Sequence, residues 1–188
     1  MLLVCDIQEK FRPLIWRFPT VLKSARALLA GARALDVPIL TTEQNPARLG
    51  ATVSELQSLI DPSRTFGKTS FSMLTTEVVA AMPPHARHAV LCGIEAHVCI
   101  KQTALDLLAH NVTVHLVVDG VSSQRAGDRA VALSALQALG VRLTTTESIL
   151  FELLGDAKHA AFKDVQKIAI AHAKEVAVTP GENLDVLT

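Results

Sequence analysis

The stretch Gly93-Ile94-Glu95-Ala96-His97-Val98-Cys99-Ile100 follows an apolar run, Ala89-Val90-Leu91-Cys92, and opens a helical pattern that reaches about His110. A strand, a tight glycine turn and a cysteine at the start of a helix make a place where a thiol becomes a thiolate. Unpaired backbone N–H groups and the positive end of the helix dipole both favour the anion. A nucleophilic cysteine also needs a base and a way to stabilise the resulting charge. Asp6, at the end of the first apolar run, could take the thiol proton. Lys68, in Phe66-Gly67-Lys68-Thr69-Ser70-Phe71-Ser72-Met73, could offset the negative charge that Asp6 and a thiolate share. Each residue alone has a plainer role. Cys99 could be a core thiol, since free cysteines are among the most buried residues. Asp6 could cap a turn, and Lys68 could be a solvated surface lysine. Cys5 and Cys92 lie inside apolar strands and read as structural.

Short β-type runs alternate with longer helical patterns, and this alternation must bring the three residues together. The expected strands are Leu2–Asp6, Val37–Thr42, Arg64–Phe66, Arg87–Cys92, Val112–Val118 and Val141–Thr144. The expected helices are Thr20–Leu35, Leu74–Ala81, Ala96–His110, Arg125–Leu139, Thr146–Leu154 and Ala157–Val176. In the first, Val21, Leu22, Ala25, Leu28, Leu29, Ala32 and Leu35 share one face. Pro83-Pro84 and Gly140 stop the helices before them. Glu43–Ser63 reads as loop, with a short helix near Val53–Leu59. Repeated β-α units imply a three-layer, doubly wound α/β fold. A mostly parallel six-stranded sheet would carry helices on both faces, with ligands bound at the C-terminal edge of its strands. One domain is expected over residues 1–176, with a polar tail over 177–188.

Composition narrows the function classes. The chain has 188 residues, 49% of them apolar, but only six Phe, one Trp and no Tyr, so Leu, Val, Ile and Ala must fill the interior. Eighteen basic and eighteen acidic residues give no net charge. No basic run supplies the footprint of a nucleic-acid binder. Three cysteines without framework spacing argue for reduced thiols and a cytoplasmic setting. No signal-peptide pattern and no run of 18 apolar residues is present. Leu2 follows Met1 directly as strand, so the fold starts at once or the natural N-terminus lies upstream.

Taken together, Val4-Cys5-Asp6-Ile7-Gln8-Glu9-Lys10-Phe11, Gly67-Lys68-Thr69-Ser70-Phe71-Ser72-Met73 and Gly93 to Cys99 resemble the isochorismatase-like cysteine hydrolases. That superfamily includes nicotinamidases, N-carbamoylsarcosine amidohydrolases and isochorismatases. Thr42-Glu43-Gln44-Asn45-Pro46, Leu49-Gly50 and Gly120-Val121-Ser122-Ser123 are similar to its isochorismatase domain-containing branch. The resemblance covers residues 2 to about 155. It implies a Rossmann-like fold and a catalytic triad of Asp6, Lys68 and Cys99. It further implies a non-proline cis peptide at Ile94–Glu95 and an oxyanion hole formed by the N–H groups of Glu95 and Cys99. Asp6 would take the Cys99 proton and return it to the leaving group, and Cys99 would form a thioester that water hydrolyses.

Nicotinamidases bind a metal through Asp-x-His and a further His between the first two triad positions. Residues 7–67 here contain no His, so neither a catalytic metal nor nicotinamide is expected, and no cofactor is implied. Phe11, Trp16, Glu43, Gln44 and His97 are pocket candidates. Core filling is the rival reading for Phe11 and Trp16, and a polar surface position is the rival for His97. The expected activity is hydrolysis of a small amide or related C–N or acyl bond. The alternatives are a non-catalytic binding module on the same fold and a protein acting on nucleic acid. The partners expected are a small-molecule substrate and, from the apolar C-terminal helix and the habit of the family, further copies of the chain.

Overall fold

A computed structural model describes residues 1–177; of the tail expected over 177–188, Ala177 still belongs to the last helix and the rest lies outside the described residues. Six strands form one parallel sheet in the order β3-β2-β1-β4-β5-β6. They are β1 (Leu2–Cys5), β2 (Ile39–Gln44), β3 (Thr65–Lys68), β4 (His88–Ile94), β5 (Thr113–Ser122) and β6 (Arg142–Thr144). β1 pairs with β2 on one side and β4 on the other, with Cys5 opposite both Thr42 and Gly93. The strand order therefore turns around at β1, and a crevice opens there beyond the strand ends.

Alternation along the strands distributes the core between two faces. Leu2 and Val4 face α1 (Phe18–Ala34) and α7 (Thr146–Leu154), together with Val90, Cys92 and Val117. Leu3 and Cys5 face the opposite layer, with α4 (Thr76–Ala81), α5 (Lys101–Ala109) and α6 (Ala126–Ala138). α1 buries Val21, Ala25, Leu28, Leu29 and Ala32, the stripe anticipated from their spacing. Truncating Leu29 to Ala would cost about 2–5 kcal/mol, because a close-packed interior does not refill the space. Two single-turn helices, α2 (Pro46–Leu49) and α3 (Ser54–Gln57), interrupt the long loop. α8 (Phe162–Ala177) lies on α1 and α7, burying Val165, Ala169 and His172. The apolar stripe of that C-terminal helix is thus covered within the chain, while Ile170 stays half-exposed.

Several boundaries differ from the sequence reading in ways that bear on the site. β2 and β3 each run two residues further, because Glu43 pairs with Gly67 and Gln44 with Lys68. Lys68 is therefore the last residue of its strand rather than a loop residue. β5 continues through Asp119-Gly120 to Ser122, with a register shift against β4 between Leu91 and Gly93. The helix expected from Ala96 begins as a π turn, Ala96–Ile100, in which the Glu95 carbonyl accepts from the Ile100 N–H. The helix expected from Ala157 starts five residues later, at Phe162.

Candidate active site

Asp6, Lys68 and Cys99 meet beyond the C-terminal ends of β1, β3 and β4. Asp6 follows β1 directly and takes a left-handed backbone, φ 53°. An aspartate tolerates that region better than bulky residues do. The carboxylate is almost wholly buried, yet both oxygens have partners. Oδ1 accepts from Thr42 Oγ1 at 2.8 Å, and Oδ2 accepts from Lys68 Nζ at 2.7 Å and from Cys5 Sγ at 3.3 Å. The Lys68 ammonium also donates to Gln44 Oε1 at 2.6 Å and to the carbonyls of Ser70 and Phe71 at 3.2 and 3.1 Å. Three N–H donors facing four acceptors leave no spare donor. This is a positioned cation, not a solvated surface lysine.

Cys99 lies in the π turn between β4 and α5, 7% exposed. Its Sγ, Cys5 Sγ and a carboxylate oxygen of Asp6 lie within 4.8 Å of one another. Those three atoms are close enough to hold a cation between them. The Lys68 ammonium already supplies positive charge to Asp6 and would repel a second cation there. The Cys99 thiol is held below its ordinary value, chiefly by the neighbouring Cys5 thiol, with Lys68 helping and burial and the Asp6 charge opposing. Burial pushes the Cys5 thiol well up, and Cys99 and Asp6 add to that. Burial works against the Lys68 charge, but Cys5, Asp6 and Cys99 outweigh it and hold the ammonium above its usual value. The two neighbouring thiols are therefore driven in opposite directions.

The backbone around Cys99 is distinctive. The Ile94–Glu95 peptide is cis. Gly93 has φ 118°, and a Cβ there would lie 2.1 Å from the Cys5 carbonyl oxygen. Only glycine lets β4 approach β1 so closely at this point. Thr103 Oγ1 donates to the Cys99 carbonyl at 2.6 Å and accepts from the Met73 N–H at 2.9 Å, tying the turn to the segment after Lys68.

The pocket candidates separate. Gln44 is in the site, holding Lys68 with Oε1 and the Thr69 carbonyl with Nε2 at 2.9 Å. Glu43 spends Oε1 on the N–H and hydroxyl of Thr52 at 2.7 and 2.8 Å, clasping the loop instead. His97 Nδ1 lies 2.9 Å from Ser123 Oγ, and the Glu95 carboxylate accepts from the Gln124 N–H at 2.9 Å. Both side chains thus point to the segment after β5. Phe11 packs against the α1-side core. The Trp16 ring lies 4.3 Å from the Arg17 guanidinium, and the backbone N–H of Trp16 donates to the Ser123 carbonyl at 3.0 Å.

Three contributors escaped the sequence reading. Thr42 stands in the sequence reading as a strand end and as part of a branch motif, with no role at the site, although the parallel pairing of Cys5 with Thr42 sets its hydroxyl beside Asp6. Gln8 is fully buried and bridges Gln44 and Gly50 through both ends of its amide. Cys5, read as structural, has its thiol in the site. A recess of about 350 Å³, lined by Asn45, Pro46, Ala47, Gly67, Lys68 and Thr69, opens beside the cation.

The sequence profile of the isochorismatase domain matches residues 1–148. Isochorismatase domain-containing protein 2 of Xenopus laevis is 48% identical over 177 residues, 93% of this chain and 85% of that protein. Among solved structures, one described as MAR1 ribonuclease from Caenorhabditis elegans superposes with a TM-score of 0.87. It shares 40% identity and covers 90% of this chain and 88% of its own. The Escherichia coli YcaC product, described as an octameric hydrolase of unknown specificity, superposes with a TM-score of 0.82. At 18% identity, over 94% of this chain and 90% of its own, it is alike in fold alone.

Proposed function

The chain belongs to the isochorismatase family, and from that premise we propose that it is a cysteine-dependent hydrolase of a small amide or related C–N or acyl bond. One observation carries the reading: a buried carboxylate, held by Lys68 and Thr42, sits within 4.8 Å of the Cys99 sulfur. Asp6 takes the thiol proton, and Cys99 Sγ attacks the substrate carbonyl carbon. The resulting oxyanion is received by the N–H groups of Glu95 and Cys99, donors of a kind worth about 10²–10³ each in rate. Collapse expels the amine, which leaves with the proton from Asp6, and a thioester remains on Cys99. Water then attacks, again giving a proton to Asp6, and the acid departs as the thiol is restored. Lys68 touches no reacting bond in this scheme. It fixes the Asp6 carboxylate and offsets the charge as the thiolate forms.

The test is a panel of small amides and esters assayed with the protein and its Cys99→Ala variant, alongside iodoacetamide mapping. Turnover should vanish with the sulfur, and Cys99 should alkylate well before Cys5 and Cys92. Activity that survives the substitution, or slow and equal alkylation of all three thiols, rejects the reading.

A second reading has one observation behind it, the description of the C. elegans structure as a ribonuclease. Against it stand the zero net charge and the absence of a basic run. Cleavage of RNA that persists in Cys99→Ala would favour it. The proposal extends to a homo-oligomer, supported by the half-exposed Leu139 and Phe71, the exposed Val131 and the octamer described for YcaC. It extends also to a reducing, cytoplasmic setting, which suits three free thiols.

A further inference from the structure

We propose that Cys5 is the resolving thiol of Cys99. Peroxide converts Cys99 to a sulfenic acid, Cys5 captures it as an intramolecular disulfide, and the site is switched off reversibly. The inference rests on the reading of Cys99 as the reactive thiol and adds a modification site and a regulatory chemistry to it.

The geometry begins with strand alternation. Cys5 is the last residue of β1 and, like Leu3, faces the layer that holds α5. The π turn that carries Cys99 leads directly into α5, so both sulfurs enter the same core cluster. Their Sγ atoms lie within 4.8 Å of each other, and rotation about the two Cα–Cβ bonds is what must bring them to bonding distance. Cys92 is the internal contrast. It is as deeply buried as Cys5, but its side chain lies in the cluster on the other face of the sheet.

Access and chemistry divide the two roles. Cys99 retains some exposure and can meet a small oxidant, whereas Cys5 has none and can meet only what Cys99 becomes. Cys99 is the more acidic thiol and the better peroxide nucleophile. Cys5 stays protonated and is preserved for the second step. The Cys5 S–H already points at Asp6 Oδ2, at 3.3 Å, so a base for that step is in place.

The steps balance with hydrogen peroxide as the oxidant. The Cys99 thiolate attacks one peroxide oxygen. An S–O bond forms, the O–O bond breaks, and hydroxide leaves and takes up a proton to become water. Cys5 then gives its proton to Asp6 and its sulfur attacks Cys99 Sγ. The S–S bond forms and the S–O bond breaks, and the departing hydroxide takes the proton from Asp6 as water. Without a resolving thiol, the sulfenic acid proceeds to the sulfinic acid, which thiols do not reverse.

The experiment treats the full chain with graded hydrogen peroxide, blocks free thiols with iodoacetamide under denaturing conditions, and maps peptides by mass spectrometry. A peptide joining Cys5 to Cys99 is expected, with Cys92, the one free thiol left of three, alkylated; a sample reduced with dithiothreitol before blocking should alkylate at all three. Cys5→Ser, which keeps a donor beside Cys99, should divert Cys99 to the sulfinic acid at peroxide doses that leave the native chain reducible, and Cys5→Ala should give the same product more slowly. Sulfinic Cys99 beside alkylated Cys5 in the native chain overturns the proposal, as does a disulfide through Cys92. Mapping does not depend on turnover, so the two readings fail separately. Fast alkylation of Cys99 without the linked peptide rejects the resolving role alone, and slow, equal alkylation of all three thiols rejects both.

Discussion

Asp6 is the residue on which the site converges, and its neighbours set what substitution should do. Thr42→Val removes the only donor to Oδ1 among the hydrogen bonds described and leaves half of a buried carboxylate unpartnered. A loss of about 1.5–3 kcal/mol is expected in chemical denaturation, the scale for hydrogen bonds to charged groups. Lys68→Met strands the whole buried charge and should cost about 3–5 kcal/mol. An unchanged melting temperature would show that the pair contributes nothing. For Cys99, alkylation rate against pH should show a midpoint below the ordinary thiol value, and a midpoint at or above it would remove the effect of Cys5 and Lys68. Asp6, Lys68 and Cys99 were legible because their residue types have few joint uses and three ordered motifs carry them. Cys5 was not, since a cysteine in an apolar strand gives no sign of which turn returns to its face. The partner of Glu43 is hidden for a related reason: its carboxylate accepts from Thr52, and only the loop path reveals it.

At the scale of elements, the β1–β4 contact and the docking of α8 are the two that can be probed. Gly93→Ala combines an unfavourable φ with a Cβ set against the backbone of Cys5, which cannot yield as a flexible side chain can. A destabilisation above about 3 kcal/mol is expected, with loss of Cys99 reactivity in whatever folds. α8 is held through His172, whose Nε2 lies 3.1 Å from Ser24 Oγ and 3.8 Å from Asp119 Oδ2. Arg26, Glu147, Glu175 and Asp119 set the field around it. Burial lowers the His172 value despite the acidic neighbours, and burial lowers His115 as well. Both rings therefore bind protons more readily in the unfolded chain, so their stabilising effect is complete above pH ~6.5 and is lost as pH falls below it. Thermal melts from pH 7.5 downward should show this decline, and His172→Gln should flatten part of it. The helices and strands themselves were readable from periodicity. The π turn was not, because its residues fit an α-helical pattern equally well and only the bond from Ile100 to the Glu95 carbonyl distinguishes it.

For the whole molecule, the expected homo-oligomer is testable by sedimentation equilibrium, where a purely monomeric species across the micromolar range would reject it. No helix among the described residues is long and apolar enough to cross a membrane. The C-terminal helix, whose apolar character first suggested association, turns that character onto α1 and α7. Any interface must use other surfaces, such as that around Val131 and Leu139 on and after α6. By itself the sequence determined the alternation of strands and helices, the parallel sheet that follows from it, and the three residues with types suited to thiol chemistry. These depend on composition and local periodicity, which the chain carries at every point. Only the tertiary structure decided that Cys5 joins Cys99, that Thr42 and Gln44 hold the charged pair, and that Glu43 and the C-terminal helix serve packing. Such assignments depend on strand register and on which face each side chain meets. Those are set by contacts between residues dozens of positions apart, where local pattern carries no information.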